Sequence, residues 1–287
     1  MKIEAFAKVN LTLEVFGKRA DGYHALRSVV MPISLSDTLD IEVTEDGLIT
    51  SDTGYDDDLC IKAARILKSS VSSLPSSLGA VIRVTKRIPA GGGLGGGSAD
   101  AAAVLRALNE LWKVGFSHEE LAEIGAQVGS DVPAFVLGGP VIMEGRGEKV
   151  ASIEQSNNPN NRTIHLVLVN PGVHSSTKEV YDALGERASR PFNCAANATA
   201  KMVEALGSGN PEEIAAALMN DLQAPALKQH PEIADVLVSL RTSGVIGAMM
   251  SGSGSSVFGI VRDAVEAERI STEMNARGYK AWPVQTL

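Results

Sequence analysis

One stretch constrains this chain more than any other. Pro89-Ala90-Gly91-Gly92-Gly93-Leu94-Gly95-Gly96-Gly97-Ser98 carries six glycines in ten residues. Glycine loses the most backbone freedom on folding, so this density is costly unless the loop needs a conformation or a close approach that a side chain forbids. Before the loop, residues 80–88 read as a strand that ends at Pro89. Behind it Ala101, Leu105, Leu108 and Trp112 recur at helical spacing. A loop of exposed N–H groups that feeds a helix N-terminus is an anion site, usually for phosphate. A flexible linker is the competing reading, and the flanking strand and helix patterns count against it.

Common phosphate binders can be tested one by one. Gly91-x-Gly93-x-x-Gly96 meets the dinucleotide spacing, but any glycine run supplies that match. The fingerprint also needs an acidic residue about 20 positions on, at the end of a second strand. Here that region is helical, with Glu119 and Glu120 in a first turn. The Walker pattern needs Gly-Lys followed by Ser or Thr, and Gly17-Lys18 is followed by Arg19. The protein-kinase catalytic loop and Asp-Phe-Gly are also missing.

The chain has 287 residues, room for two domains. Hydrophobic residues at 44%, charged residues at 21% and a mean hydropathy of +0.06 indicate a folded chain and exclude a disordered one. The net charge of -8 and pI of about 5.2 argue against a nucleic-acid binder while allowing a local basic pocket for an anionic substrate. Cys60 and Cys194 are too far apart for a metal motif or a disulfide framework, which favours a reducing compartment. The N-terminus shows no signal-peptide pattern, and no apolar run approaches the roughly 18 residues that span a bilayer. A cytoplasmic protein without membrane partners is expected, and the sequons at Asn10, Asn161 and Asn197 are read as coincidence.

Residues 2–16 alternate with period two, Ile3 to Val15 forming an apolar face and Lys2, Glu4, Lys8, Asn10, Thr12 and Glu14 lying opposite, with Phe6 the exception. That predicts one half-buried strand, followed by a polar turn at Arg19-Ala20-Asp21-Gly22. A further strand is predicted at 39–43 and a helix at 59–71. A capping box at Ser117-His118-Glu119-Glu120 opens a helix that continues through Leu121, Ile124 and Val128 and ends at Gly129. The polar, breaker-rich stretch 154–163 reads as a domain boundary. Beyond it come a strand at 164–170, a second capping box at Ser176–Glu179, helices at 195–207, 211–219 and 231–242, two short strands flanking Ser251-Gly252-Ser253-Gly254, a helix near 264–277 and a strand near 279–285. Without regular βαβ alternation this predicts an α+β fold of two domains, 1–157 and 158–287.

Three further features could carry chemistry. Ser251 to Ser256 suits a tight turn or, given the first glycine loop, ligand contact. Lys8 sits on the polar face of its strand beside Asn10, and reads either as a solvated lysine or as a catalytic cation. Asp131, in Gly129-Ser130-Asp131-Val132-Pro133, reads either as a helix N-cap or as a functional carboxylate.

Taken together these stretches resemble the GHMP kinases, named for galacto-, homoserine, mevalonate and phosphomevalonate kinases. The glycine loop is similar to that family's central ATP motif, and Ser251–Ser256 to its C-terminal glycine motif. Ala7-Lys8-Val9-Asn10-Leu11-Thr12-Leu13, Gly17 to Arg19, Asp21-Gly22-Tyr23-His24, Gly145-Arg146-Gly147-Glu148-Lys149, Ser176 to Tyr181 and Asn220-Asp221 narrow the likeness to the branch acting on 4-diphosphocytidyl-2-C-methyl-D-erythritol. The resemblance implies a ribosomal S5 domain 2-like N-terminal domain and a ferredoxin-like C-terminal one. It implies transfer of the ATP γ-phosphate to the C2 hydroxyl of that alcohol in the non-mevalonate route to isoprenoids, with ATP and Mg2+ as cofactors and a monomer or homodimer as the working form. It places the general base at Asp131, with Lys8 beside it, and ATP along Pro89 to Ala99: Pro89, Ala90, Gly91, Gly92, Gly93, Leu94, Gly95, Gly96, Gly97, Ser98 and Ala99. It places the cytidine end and the hydroxyls at Asn10, Tyr23, His24, Thr177 and Tyr181. Gly96-Gly97 stand where many of the family have Ser-Ser, one of which meets magnesium, so the metal ligands are unassigned. Ala99 replaces a serine usual in this branch. Asp58 stands where an Asn often helps hold the adenine. Another kinase of the same family and a non-catalytic sensor on the same fold are the rival readings.

Overall fold

The computed structural model describes residues 1–55, 57–153, 163–185 and 198–287. In chain order it runs β1 (Lys2–Asn10), β2 (Thr12–Lys18), β3 (His24–Thr44), β4 (Ile49–Ser51), α1 (Leu59–Ser69), β5 (Gly79–Thr85), α2 (Gly96–Leu111), α3 (His118–Val128) and α4 (Val132–Leu137). Then follow β6 (Val141–Gly145), β7 (Lys149–Ser152), β8 (His165–Asn170), α5 (Thr177–Asp182), α6 (Ala198–Ser208), α7 (Pro211–Ala216) and β9 (Met219–Asn220). The chain closes with α8 (Gln223–Gln229), α9 (Pro231–Thr242), β10 (Gly247–Met250), β11 (Val257–Val261), α10 (Ala264–Ala276) and β12 (Lys280–Gln285). The class is α+β, as expected.

Two compact units form, and each is assembled from separated segments. The first takes Met1–Ala7, Leu35–Ile88 and Gly95–Gly138; the second takes Lys8–Ser34, Pro89–Leu94 and Gly139–Leu287. The expected division at 157/158 instead makes a single cut, and it falls within 154–162, outside the described residues, as do Cys194 and the first three residues of the helix expected at 195–207.

In the first unit, the C-terminal part of β3 pairs antiparallel with β5, from Thr38↔Thr85 to Thr44↔Gly79, and β4 adds in parallel to β5. Leu39, Ile41 and Ile82 from the strands meet Ala63 and Leu67 of α1 and the buried run Ala101 to Leu105 of α2. α2 is buried nearly all round, and its alanines let α1 and α4 approach closely. The capping box that opens α3 is formed as expected, Ser117 accepting from Glu120 N–H and Glu120 accepting from Ser117 N–H.

In the second unit, β10, β11, β8 and β12 form an antiparallel sheet in that order. Leu166 to Val169 of β8 are all fully buried, as expected of a strand covered on both faces. Ile233, Val236 and Leu240 of α9 and Ile270 and Met274 of α10 belong to the same core. The N-terminal part of β3 pairs with β2 and with β6.

The single strand predicted at 2–16 is two strands broken at Leu11; Lys2 and Glu4 on its polar face are exposed, and from Lys8 onward that face is not solvated. Lys8, Asn10, Thr12 and Glu14 are all buried. Each is paired: the Asn10 amide donates to Ser28 Oγ at 2.8 Å, Thr12 Oγ1 accepts from Val29 N–H at 2.9 Å, and Glu14 accepts from the N–H groups of Ala198 and Thr199 and from the Thr199 hydroxyl. Buried polar groups must be hydrogen-bonded to be tolerated, and alternation alone cannot distinguish such a face from a wet one.

β5 ends three residues before the predicted end at 88 because those residues turn to a different partner. Asp37 Oδ1 accepts from the N–H groups of Arg87 (2.5 Å) and Ile88 (2.8 Å), and Asp37 Oδ2 from the Lys86 ammonium (2.5 Å). The same ammonium reaches Asp100 Oδ2 of α2 at 2.6 Å. Burial pushes the Asp100 carboxyl up from 3.8 to about 6, against the opposing pull of Lys86. A raised carboxyl pKa favours folding while protonated, so this contribution is present below about pH 3.8 and lost as pH rises through about 6. Asp100→Asn is therefore expected to flatten the fall in melting temperature between acid and neutral pH. Thermal melts of both proteins across that range check it, and parallel slopes would refute it.

Candidate active site

The glycine loop forms between β5 and α2, where the sequence places it. Gly91, Gly93 and Gly95 have φ of +64°, +73° and +70°, the left-handed region that glycine enters without penalty. Gly95 occupies the N-cap of α2 and supplies no side chain to the helix's first N–H groups, leaving them available to a ligand.

Within the second unit, the loop's carbonyls are turned inward. Gly92 C=O accepts from Ser256 N–H at 3.1 Å, and Leu94 C=O from Lys8 N–H at 3.1 Å. Gly93 C=O accepts twice, from the Lys8 ammonium and from Ser251 Oγ, both at 3.0 Å. In a trans peptide unit the N–H points opposite to the C=O. Three inward carbonyls therefore aim the N–H groups of Gly93, Leu94 and Gly95 the other way, and these make no backbone bond among the described residues. Successive N–H groups presented in this manner make an anion-binding concavity.

The second glycine motif lies beneath this loop. Ser251, Ser255 and Ser256 are fully buried, and Asn220 Nδ2 donates to the carbonyls of Met250 and Gly252, both at 2.8 Å. Asn170 Nδ2 donates to Ser256 Oγ at 3.0 Å. The tight turn expected at Ser251–Ser256 forms, and its groups hold the first loop. Spacing flagged the motif, and nothing in its composition revealed that it serves as backing. A Cβ on Gly93 would overlap the Ser251 carbonyl oxygen and come within 3.0 Å of the Gly254 oxygen. Both obstacles are backbone. Gly93→Ala is thus expected to lower both the melting temperature and ADP affinity, the latter at least tenfold by the scale of a 1.4 kcal/mol loss. Calorimetry with ADP on the folded variant checks this, and wild-type affinity would separate the loop from nucleotide.

Lys8 is 6% exposed, which overturns its solvated reading. Its ammonium donates to Asn10 Oδ1 at 2.6 Å as well as to Gly93 C=O. Asn10 N–H in turn donates to Ser251 Oγ at 3.3 Å. Lys8, Asn10, the loop and the serine turn thus form one network.

Asp131, in the first unit, occupies the N-cap position of α4, with Pro133 in the helix's first turn. Its side chain makes no capping bond, so the capping reading does not account for the residue. The turn that carries it lies against the start of α2, since a Cβ on Gly129 would stand 4.0 Å from Ser98 Oγ. Asp58 caps α1, accepting from Cys60 N–H at 2.7 Å, from Ile61 N–H at 3.3 Å and from Thr53 Oγ1 at 2.6 Å. Its oxygens are engaged by its own fold.

The residues expected around the cytidine end lie in the second unit. Tyr23 is exposed on the turn after β2, with the Arg146 guanidinium 5.6 Å from its ring centroid. The His24 and Tyr181 rings stack at 5.7 Å and 28°. His24 Nδ1 lies 3.3 Å from Phe16 C=O. Thr177 Oγ1 is 2.8 Å from Ser253 Oγ. Sequence reasoning did not single out Asp37, Lys86 or Asp100, because none lies in a quoted motif and the contacts that join them span 14 and 49 positions.

Residues 58–139 match the GHMP kinases N terminal domain model, and residues 202–280 match the GHMP kinases C terminal model. A curated relative from Symbiobacterium thermophilum, named 4-diphosphocytidyl-2-C-methyl-D-erythritol kinase, is 39% identical over 100% of both chains. One of the same name from Pelotomaculum thermopropionicum is 40% identical over 93% of this chain and 91% of its own. A crystal structure titled 4-(cytidine 5'-diphospho)-2C-methyl-D-erythritol kinase superposes with a TM-score of 0.83 at 33% identity, covering 100% of this chain and 99% of the other. Mevalonate kinase from Methanococcus jannaschii shares the fold, with a TM-score of 0.72 at 16% identity over 100% and 98%. Identity of this extent over the whole length, together with both domain models, shows that the chain belongs to the GHMP kinases.

Proposed function

We propose that this kinase transfers the γ-phosphate of ATP to the C2 hydroxyl of 4-diphosphocytidyl-2-C-methyl-D-erythritol, in the cytoplasm, as a monomer or homodimer. The observation that carries the nucleotide half is the inward turn of the carbonyls of Gly92, Gly93 and Leu94, which presents consecutive N–H groups ahead of the α2 N-terminus. The full-length relatives of that name support the choice of alcohol.

Phosphoryl transfer needs positioning and charge neutralisation more than covalent help. The loop Pro89–Ala99 receives the ATP phosphates. Asp131, whose carboxylate is not spent on capping, accepts the hydroxyl proton. Lys8, fixed by Asn10 and Gly93, stabilises the negative charge of the transition state. The described residues hold no cluster of three or more His, Cys, Asp or Glu suited to a metal. This fits magnesium carried mainly on the nucleotide's phosphates, which needs only one or two protein ligands. There it would neutralise phosphate charge.

Asn10, Tyr23, His24, Thr177 and Tyr181 hold the acceptor. Phe16 C=O can only accept, so His24 Nδ1 donates to it, and an Nε2 that carries no proton suits the N4 amino donor of cytosine and opposes the O4 acceptor of uracil. Each buried mismatch costs about 1–3 kcal/mol. The uridine analogue is therefore expected to lose on the order of 10²-fold in kcat/KM, with stacking preserved. Equal efficiency with the two analogues would show that the base is not read. The function itself is tested by ADP release with ATP and the cytidine substrate, against mevalonate and homoserine as alternative acceptors. Turnover of either alternative in preference to the cytidine substrate would overturn it.

A further inference from the structure

The group formed by the buried Asp37 and Asp100 and the partly exposed Lys86 lies outside the machinery described above, yet it touches both ends of the glycine loop. Asp37 and Asp100 are buried. On the entry side, one Asp37 carboxylate holds three consecutive residues, the Lys86 ammonium and the N–H groups of Arg87 and Ile88, immediately before Pro89. On the exit side, Asp100 lies in the second turn of α2 and shares the same ammonium. The two sides also meet directly. A Cβ on Gly96 would come within 3.0 Å of Ile88 Cγ2 and 3.5 Å of Lys86 Nζ, so glycine at the start of α2 lets the strand exit close upon it.

Two buried carboxylates bridged by one ammonium make a stiff link, since each bond is charge-assisted and the carboxylate end of each lies out of water. A loop rich in glycine is otherwise free to sample many conformations. Asp100 Oδ1 has no partner among the described residues, so this carboxylate is retained despite an unmet cost of burial. A group that served only to stabilise the fold would be better replaced by an apolar side chain.

We propose that Asp37 and Asp100, acting through Lys86, are positioning residues that clamp the two ends of the phosphate loop and preorganise its N–H groups for the nucleotide. The clamp acts on nucleotide affinity and leaves acceptor binding and the chemical step alone. This rests on the nucleotide-binding part of the function proposed above.

The test uses the full chain with Asp37→Asn, Asp100→Asn and the double variant, each assayed well below its own melting temperature. ADP affinity is measured by calorimetry, and both KM values and kcat by ADP release with 4-diphosphocytidyl-2-C-methyl-D-erythritol. Each single variant is expected to weaken ADP and raise the KM for ATP about tenfold through lost preorganisation. The KM for the acceptor, and kcat at saturating ATP, should stay within about twofold. The double variant should lose less than the sum of the two single losses, because both carboxylates share the Lys86 ammonium. If Asp37→Asn does not fold, Asp100→Asn carries the test alone, since its amide oxygen can still accept from Lys86. A lower melting temperature with unchanged ADP affinity would make the group merely structural and overturn the inference, as would equal rises in both KM values. Failure of the wild type to bind ADP would instead remove the nucleotide reading itself.

Discussion

Asp131→Asn is expected to fold, melt close to the wild type and lose about 10²–10⁴ in turnover, the range that general-base catalysis contributes. The structure makes the expectation discriminating. At an N-cap, Asn is as good as Asp, so a residue that merely capped α4 would tolerate the change in both stability and rate. Here the side chain makes no capping bond, so the cap itself is not what the change removes. What changes is basicity: the amide matches the carboxylate in shape and cannot take a proton at neutral pH. The loss should fall on kcat, with ATP affinity retained, because the base acts on the acceptor hydroxyl. Single-turnover kinetics with ATP and the cytidine substrate measures it. Near-normal rates in a folded variant would sink the assignment.

Lys8→Met is the second large effect, and it should be visible in two observables. Met roughly matches the length of the lysine stem and fits an environment that leaves Lys8 6% exposed. It cannot donate, so Asn10 Oδ1 loses a charge-assisted bond and Gly93 C=O keeps only Ser251. Leaving a buried acceptor short costs about 1–3 kcal/mol, a clear drop in melting temperature. The rate should fall further, by on the order of 10²–10³, as seen when one preorganised donor to a developing charge is removed. Because the ammonium also orients Gly93, a moderate rise in the KM for ATP is expected beside the fall in kcat. A variant that loses stability but keeps its rate would reduce Lys8 to a brace for the loop.

The sequence made some of this legible, and physics explains the division. The glycine loop could be placed because glycine alone enters φ near +70° without a steric penalty, here at three alternate positions. The capping box at Ser117, the N-cap at Ser176 (where the Glu179 half of the expected box is not formed) and the closing helix and strand were legible because each is a local pattern. β3 was read only at 39–43 because its first part includes Pro32 and lacks clean alternation. The burial of Lys8, Asn10, Thr12 and Glu14 was invisible, because polar residues at period two look the same whether water or protein satisfies them. The partners that satisfy them, from Ser28 to Thr199, are distant in sequence. For Asp131 the sequence left two roles open, and the missing capping bond is a feature of geometry that a sequence pattern does not show.

The interleaving of the two units bears on how such a protein can be cut or recombined. The chain passes from one unit to the other five times, after Ala7, Ser34, Ile88, Leu94 and Gly138. A C-terminal fragment beginning near 158 would lack β2, whose Leu13 and Val15 belong to the same core as Val167, Met250 and Ile270. It would also lack the loop that its serine turn backs. An N-terminal fragment would carry the loop with its inward carbonyls deprived of Ser251 and Ser256. Neither piece is a self-sufficient module, so gene fusion or exchange between relatives can pass on a working loop only by moving the whole chain.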